Sequence, residues 1–472
     1  MKKIFFGVIG TIFFSWNAFS QTAMTLRQCI ETGITNNFDV QQRQLQAQSD
    51  EANWKQSKLN MFPDLNASVG HSFNQGRSID PFTNQPVTQN FNSSNYSVNS
   101  NVILFNGLAI QNNIKQNSLT YQASKMDWQQ EKDNLTINII LAYLQVLSNA
   151  DQLTQARNQA TLSQQQVERL EILNKEGAIK PSDLSDLKGQ YANDQLSIIG
   201  FQNSLETAKI SLCQLMNIPY NKDLALEKIE PESFAAAYEG TADNIYQTAL
   251  EQLALVKAAN LRKASAERAV KVARGQLFPR LSFGGTAYTN YSSVAMQNIY
   301  ANTTEVTSSD YVLVNGTASP VIYKRDNFNV SKIGYSDQLN NNLYTSYGFN
   351  LNIPLFNALL QRNRIKQAKI NLKIRELSVN TTKTQLNQAV NQAYINMNTA
   401  ADRYKTLLQQ AEAYEESFRA AGIRFQQGVG TSIDYLTAKN NLDRSNINLI
   451  IAKYDYVLRA KILDYYQGKQ LW

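Results

Sequence analysis

The chain has 472 residues, 45 Lys and Arg against 38 Asp and Glu for a formal charge of +7, two cysteines and one histidine. So few Cys and His exclude a Cys/His cluster with metal-ligand spacing. The charges read as alternating in sign along helices, the pattern of a solvated face, which excludes a nucleic-acid stripe. Beyond residue 21 no apolar run approaches the ~20 residues of a membrane helix, so the chain crosses a bilayer as β-strands or not at all.

In chain order, Lys2 and Lys3 precede the apolar stretch Ile4 to Phe14 and the small-residue site Ala18-Phe19-Ser20. This predicts an export signal over 1–20, cleaved near Ser20/Gln21. Leu26-Arg27-Gln28 before Cys29 is too bulky for a lipoprotein signal. Cys29 and Cys213 sit beside Ile30 and Leu212 and read as buried thiols, in a compartment that also permits a disulfide.

Leu65, Ala67, Val69, His71 and Phe73 alternate with Asn66, Ser68, Gly70 and Ser72, predicting a strand over about 64–74, and a second strand follows over about 95–105. Leu108 to Glu176 contains no Pro or Gly until Gly177 and predicts one very long helix, on the order of 100 Å at ~1.5 Å per residue. Gly177 to Pro181 breaks it at a tip over 177–182, with Ser182 or Asp183 as expected N-cap of a return helix to Met216. Asn217 to Thr241, carrying Pro219 and Pro231, is the expected linker, packed against the helices.

The second half, 242–472, repeats the first, 21–216. Tyr96 to Gln116 and Tyr347 to Gln367 are identical at 11 of 21 positions at an offset of 251. The same offset carries Gly177 onto Gly428 and Asp183 onto Asp434, so a half-molecule is duplicated and the period is far longer than a solenoid unit. Strands are expected over about 280–291 and 343–356. Leu386, Val390, Ala393, Met397, Ala400 and Tyr404 open a heptad seam that the first copy shares at Leu135, Ile139, Ala142 and Val146. A second tip lies near 428–432, with Ser432 or Asp434 as expected N-cap. The loops Asn74 to Ser94 and Ser292 to Asn342 read as solvent-facing and poor in helix signals, the second longer by an insertion of 35 residues.

The predicted fold class is therefore a mixed α and β membrane protein with an internal duplication. Four strands cannot close a barrel alone, and an open edge in lipid costs several kcal/mol per unpaired group. Closure must come from other subunits. A rival from another class, a periplasmic coiled-coil scaffold without a pore, explains the heptads and the signal but not amphipathic strand pairs at the same place in both halves.

Phe62-Pro63 and Phe278-Pro279 at the helix-to-strand switch, Leu104-Phe105-Asn106 and Leu355-Phe356-Asn357 at the strand-to-helix switch, and Gly428-Val429-Gly430-Thr431-Ser432-Ile433-Asp434-Tyr435-Leu436 at the second tip resemble the TolC-like outer membrane efflux protein family over essentially the whole mature chain. The resemblance implies a homotrimer whose four strands per chain make a twelve-stranded barrel in outer membrane lipid of a Gram-negative cell. That barrel continues into a long antiparallel α-helical coiled-coil periplasmic tunnel. It implies the exit duct of a tripartite efflux pump, for drugs or for metal ions, or of type I protein secretion, with a periplasmic adaptor protein and an inner membrane pump as partners. The adaptor-docking tips would then be Gly177, Pro181, Gly428, Gly430 and Thr431. Acidic residues lining the periplasmic entrance would be Asp434, which matches the family's first such position, and Asp183 and Asp186 from the first copy, since Thr437 stands where a second acid is expected. Each Asp also suits a helix N-terminus for its dipole alone.

Nothing in the sequence supports catalysis or a cofactor: His71 lies in a strand pattern, and there is no Walker loop and no nucleophile with a paired base.

Overall fold

The computed structural model describes residues 23–80, 84–88, 90–229, 240–469 and 471. The expected signal and cleavage site, and Pro231 within the linker, lie outside them. The chain divides into two compact units, one of 1–51, 119–264 and 373–472, the other of 52–118 and 265–372.

The first unit is helical. Its elements are α1 (Leu26–Asn36), the start of α2 (Phe38–Leu59), most of α3 (Ala109–Lys175), α4 (Pro181–Met216), α5 (Ala242–Gln252), the start of α6 (Ala254–Gly275), most of α8 (Leu360–Gln426) and α9 (Ser432–Tyr466). The heptad seam becomes core: Leu386, Val390, Ala393, Met397 and Ala400 are buried with Ile245 and Ala249 of α5 and Tyr456, Ala460 and Leu463 of α9. In the first copy Leu135, Ile139, Val146 and Leu147 are buried with Cys29 and Ile30 of α1 and Leu212 of α4. Many seam positions are alanine, which lets the helix backbones approach closely.

The linker straps this wall. Leu224, Leu226 and Ile229 pack on the first-copy core, and Leu226 bridges to Met24 as a one-residue β-pair. Cys29 and Cys213 are free, buried thiols; burial, and secondarily Cys213, pushes Cys29 up to about 12.

The second unit is built on a four-stranded antiparallel sheet of β1 (Asn66–Asn74), β4 (Phe91–Phe105), β5 (Arg280–Ser292) and β8 (Tyr344–Asn352), in that order. The two halves therefore meet at β4 and β5. Period-2 alternation separates the faces. Asn66, Asn99, Thr286 and Ser346 form one polar row across all four strands, while Val69, Val98, Phe283 and Phe349 stand on the opposite, apolar face. Val69 and Phe349 are each 72% exposed there, an arrangement that water alone disfavours. The outer edges of β1 and β8 have no partner strand among the described residues.

At the switch from strand to helix, Gly107 (φ +65°) and Leu108 (φ +61°) are successive left-handed residues, as are Ala358 and Leu359 in the second copy. Gly107 lies against Gly275 so closely that a Cβ on it would meet the Gly275 carbonyl oxygen at 2.3 Å.

The loops differ from expectation. The first holds a small pair, β2 (Ser78–Ile79) and β3 (Pro86–Val87), and the second a long ribbon, β6 (Met296–Val314) with β7 (Thr317–Lys332), followed by α7 (Tyr335–Asn341). Asn315-Gly316, both at positive φ, form the two-residue turn that matches strand twist. The inserted residues make ordered β-structure in which Ile299, Tyr300, Val306, Val312 and Val314 of β6 and Val321, Ile322, Tyr323 and Val330 of β7 supply the β-branched and aromatic side chains that suit a pleated surface. Gln338 of α7, 1% exposed, pins the ribbon's base by accepting from Ser292 N (2.8 Å) and donating to Ser292 O (3.0 Å).

Candidate functional site

The two tips, both in the helical unit, close their helices in related ways. Gly177 (φ +70°) and Gly428 (φ +75°) take the left-handed conformation in which a side chain is strained. Ala178 N donates to Leu173 O at 2.9 Å, and Val429 N to Arg424 O at 3.1 Å, satisfying the last carbonyls of α3 and α8. Gly430 is held for a different reason: a Cβ there would meet Arg424 Cβ and Phe425 N at 3.2 Å.

The N-caps are not those expected from the sequence. Lys180 is the N-cap of α4, with no side-chain cap and Pro181 at the first helical position; proline's fixed φ and missing N–H suit that place. Thr431 is the N-cap of α9 and forms a reciprocal capping box with Asp434. Thr431 Oγ1 accepts from Asp434 N at 3.1 Å and itself donates to Asp434 Oδ2 at 2.8 Å, which also accepts Thr431 N at 3.3 Å. These bonds, led by the Thr431 hydroxyl, hold the Asp434 carboxyl below the usual carboxylate range, with help from Arg424.

Asp183, the first-copy equivalent of Asp434, is used differently. Ser432, 3% exposed, places its hydroxyl to donate to Asp183 Oδ1 at 2.9 Å or Asp186 Oδ2 at 3.1 Å. The structure thus brings Asp183 and Asp186 together on Ser432, whereas Asp434 serves its own helix. Between the tips lies a cavity of about 660 Å³ lined by Leu170, Leu173, Ile179, Asp183, Phe425 and Gly430 among others. Tyr435, buried against Phe418 and Phe425 with centroids 5.3 and 5.1 Å away, is pushed up to about 12 by burial and then by Asp443 and Asp194.

Two turns from the tip lies a buried ionic cluster that sequence reasoning missed. The Lys439 side chain is 1% exposed, and its ammonium donates to Asp194 Oδ2 at 3.0 Å and Asp443 Oδ2 at 2.6 Å. Asp194 also accepts from Ser163 Oγ and from Gln190 Nε2, so α3, α4 and α9 meet on one carboxylate. Burial pushes Asp443 up, against the pull of Lys439. A faint signal existed: Ser163 is the first-copy counterpart of Tyr414, further along the same seam, where a hydrophobe is expected. The i, i+4 pair of Lys439 and Asp443 reads equally well as a surface pair.

The chain matches the family model for outer membrane efflux proteins over residues 30–217 and 245–468. It belongs to the outer membrane efflux protein family. The match spans both duplicated halves and both tips. Outer membrane protein TolC of Salmonella enteritidis is 21% identical over 345 residues, covering 72% of this chain; the chain spans 62% of that relative's length. Among solved structures, CusC superposes with TM-score 0.76 at 16% identity, covering 94% of this chain and 92% of that one. VceC of Vibrio cholerae gives 0.74 at 14% identity with 95% and 97% covered, and the MtrE outer membrane channel of Neisseria gonorrhoeae 0.72 at 14% with 94% and 89%. These likenesses are of fold. The family is one of channel and transport proteins, and the helix-rich, mixed α and β fold of this chain is that of its efflux channels.

Proposed function

We propose that this chain is the outer membrane exit duct of a tripartite efflux pump, passing small molecules outward as a homotrimer. The observation that carries the reading is the sheet. Its apolar face is exposed, its polar face is rich in Asn, Ser and Thr, and both edges lack a partner among the described residues. Lipid would solvate the first, water the second, and neighbouring copies would pair the edges. Three copies supply twelve strands, and no helix among the described residues is long and apolar enough to cross a membrane instead.

In this reading the tips form the periplasmic entrance and dock the adaptor of an inner membrane pump through Gly177, Pro181, Gly428, Gly430 and Thr431. Asp183 and Asp186, gathered on Ser432, and Asp434 supply negative charge at the entrance, and no energy-coupling site is required of the chain itself. Type I secretion would use the same duct; the family's efflux description favours small molecules.

The test is single-channel conductance in planar bilayers after the oligomeric mass has been measured in detergent. A trimer that inserts and conducts is expected, with cation block altered in D183N/D186N/D434N. A soluble species that does not insert would return the chain to the coiled-coil scaffold reading.

A further inference from the structure

The charges are not interspersed everywhere along the helices. The helical segments of the second unit, 52–62, 107–118, 265–276 and 358–372, hold ten basic residues and one acid, Glu267. Their excess is larger than the +7 of the whole chain, so everywhere else the charges nearly cancel. All of this charge lies within about three turns, roughly 15 Å, of the sheet-side end of its helix.

Between this collar and the strands comes a band of exposed aromatic and aliphatic side chains: Phe62 at 68%, Phe278 at 56%, Leu355 at 92% and Phe356 at 82% exposed. Trp54, at the collar's level, lies under the Lys58 ammonium, 3.5 Å from the ring centroid. Apolar strands, then aromatics, then cations is the order a chain meets on leaving hydrocarbon for a headgroup layer.

On α8, Arg362, Lys366 and Lys369 follow one another at steps of four and three and share one helix face, while Arg364 stands on the opposite face; all four are exposed. A helix in a closed wall turns one such face inward and the other outward. Both carry cations here, so the outward face is basic whichever way the helix is turned. Among the described residues no ion pair forms at these four.

Resting on the reading that the sheet lies in the outer membrane, we propose that this collar binds anionic phospholipid headgroups of the periplasmic leaflet, fixing the depth of the barrel and selecting its annular lipid. Each basic residue held near an anionic surface strengthens association about fivefold at low salt, with a reach set by a Debye length of about 8 Å at physiological ionic strength.

The experiment is electron spin resonance of the reconstituted full chain with spin-labelled phosphatidylglycerol against spin-labelled phosphatidylcholine, giving a relative association constant. A preference of about fivefold or more for the anionic lipid is expected at low salt, falling toward unity in high salt and in R362Q/R364Q/K366Q/K369Q, a variant that still conducts. No preference in the wild type, or a preference unchanged in the variant, overturns the collar. So does an unchanged preference accompanied by altered ion selectivity, which would turn these charges toward the duct. A protein that never inserts would instead fail the exit-duct reading, so the two outcomes are separate.

Discussion

The two tips descend from one duplicated segment, and the way they differ shows what duplication holds fixed. The backbone is kept: Gly177 and Gly428 adopt nearly the same left-handed φ, +70° and +75°. The side chains diverge. Asp434 is bound into the capping box of α9, while Asp183, freed because Pro181 starts α4 without a side-chain cap, reaches Ser432 of the other copy. One acid became a local brace and its twin a link between halves.

The strongest way to break the comparison is at the buried cluster behind the tips. Lys439→Met leaves the buried Asp194 and the half-buried Asp443 without their cation, and a loss of about 3–5 kcal/mol in denaturant unfolding is expected; a loss under 1 kcal/mol would show that water already reaches the cluster. Next come the glycines. Gly177→Val and Gly428→Val place a β-branched residue at positive φ and should each cost about 1–3 kcal/mol, by nearly equal amounts, since a Cβ at either meets open space.

Thr431→Ala removes an N-cap and should cost about 1 kcal/mol, whereas Ser182→Ala, in a helix whose cap is Lys180, should cost nearly nothing. Equal losses would mean that the first tip has a cap of its own. The smallest effect is in pH. Asp434 has a depressed folded pKa, so its contribution is complete above the unfolded value of about 4 and disappears as pH falls through the folded value. Asp443 is raised, so its contribution is complete below about 4 and lost as pH rises through the higher folded value. Asp443→Asn should therefore leave a tip whose stability only falls on acidification, read from thermal midpoints between about pH 3 and 7.

Much of this fold is legible in the chain because its signals are long and repeated. The 251-residue offset, the seam from Leu386 and the alternation from Leu343 to Leu355 each average over many residues. What escaped detection depends on single contacts. Thr431 in place of Ser432 as N-cap is a one-residue choice that propensity does not resolve, because both are good caps. Lys439 and Asp443 carry the pattern of a solvated pair, yet Lys439 is buried and Asp443 half-buried because α3 and α4 cover them. The ribbon of β6 and β7 was hidden by its Asn, Ser and Thr content, which a loop shares. The collar was missed for another reason: it is dispersed over four segments far apart in sequence, and charge counted along a single helix does not show it.

The strand order has a consequence for how the protein is made. Within the sheet, β1 and β4 are near neighbours in the chain, but β4 pairs with β5 by contacts such as Ser100 with Gly285, more than 180 residues apart. Pairing at that separation is slow, because a long loop must close before any contact rewards it. As the chain is synthesised the first hairpin is therefore complete well before the strand that covers its edge, with Val69, Phe73 and Val98 on one face. Such an edge is a template for misassociation. Until the second half arrives, that first hairpin has an apolar face and an open edge to shield, a demand that the order of the strands alone imposes.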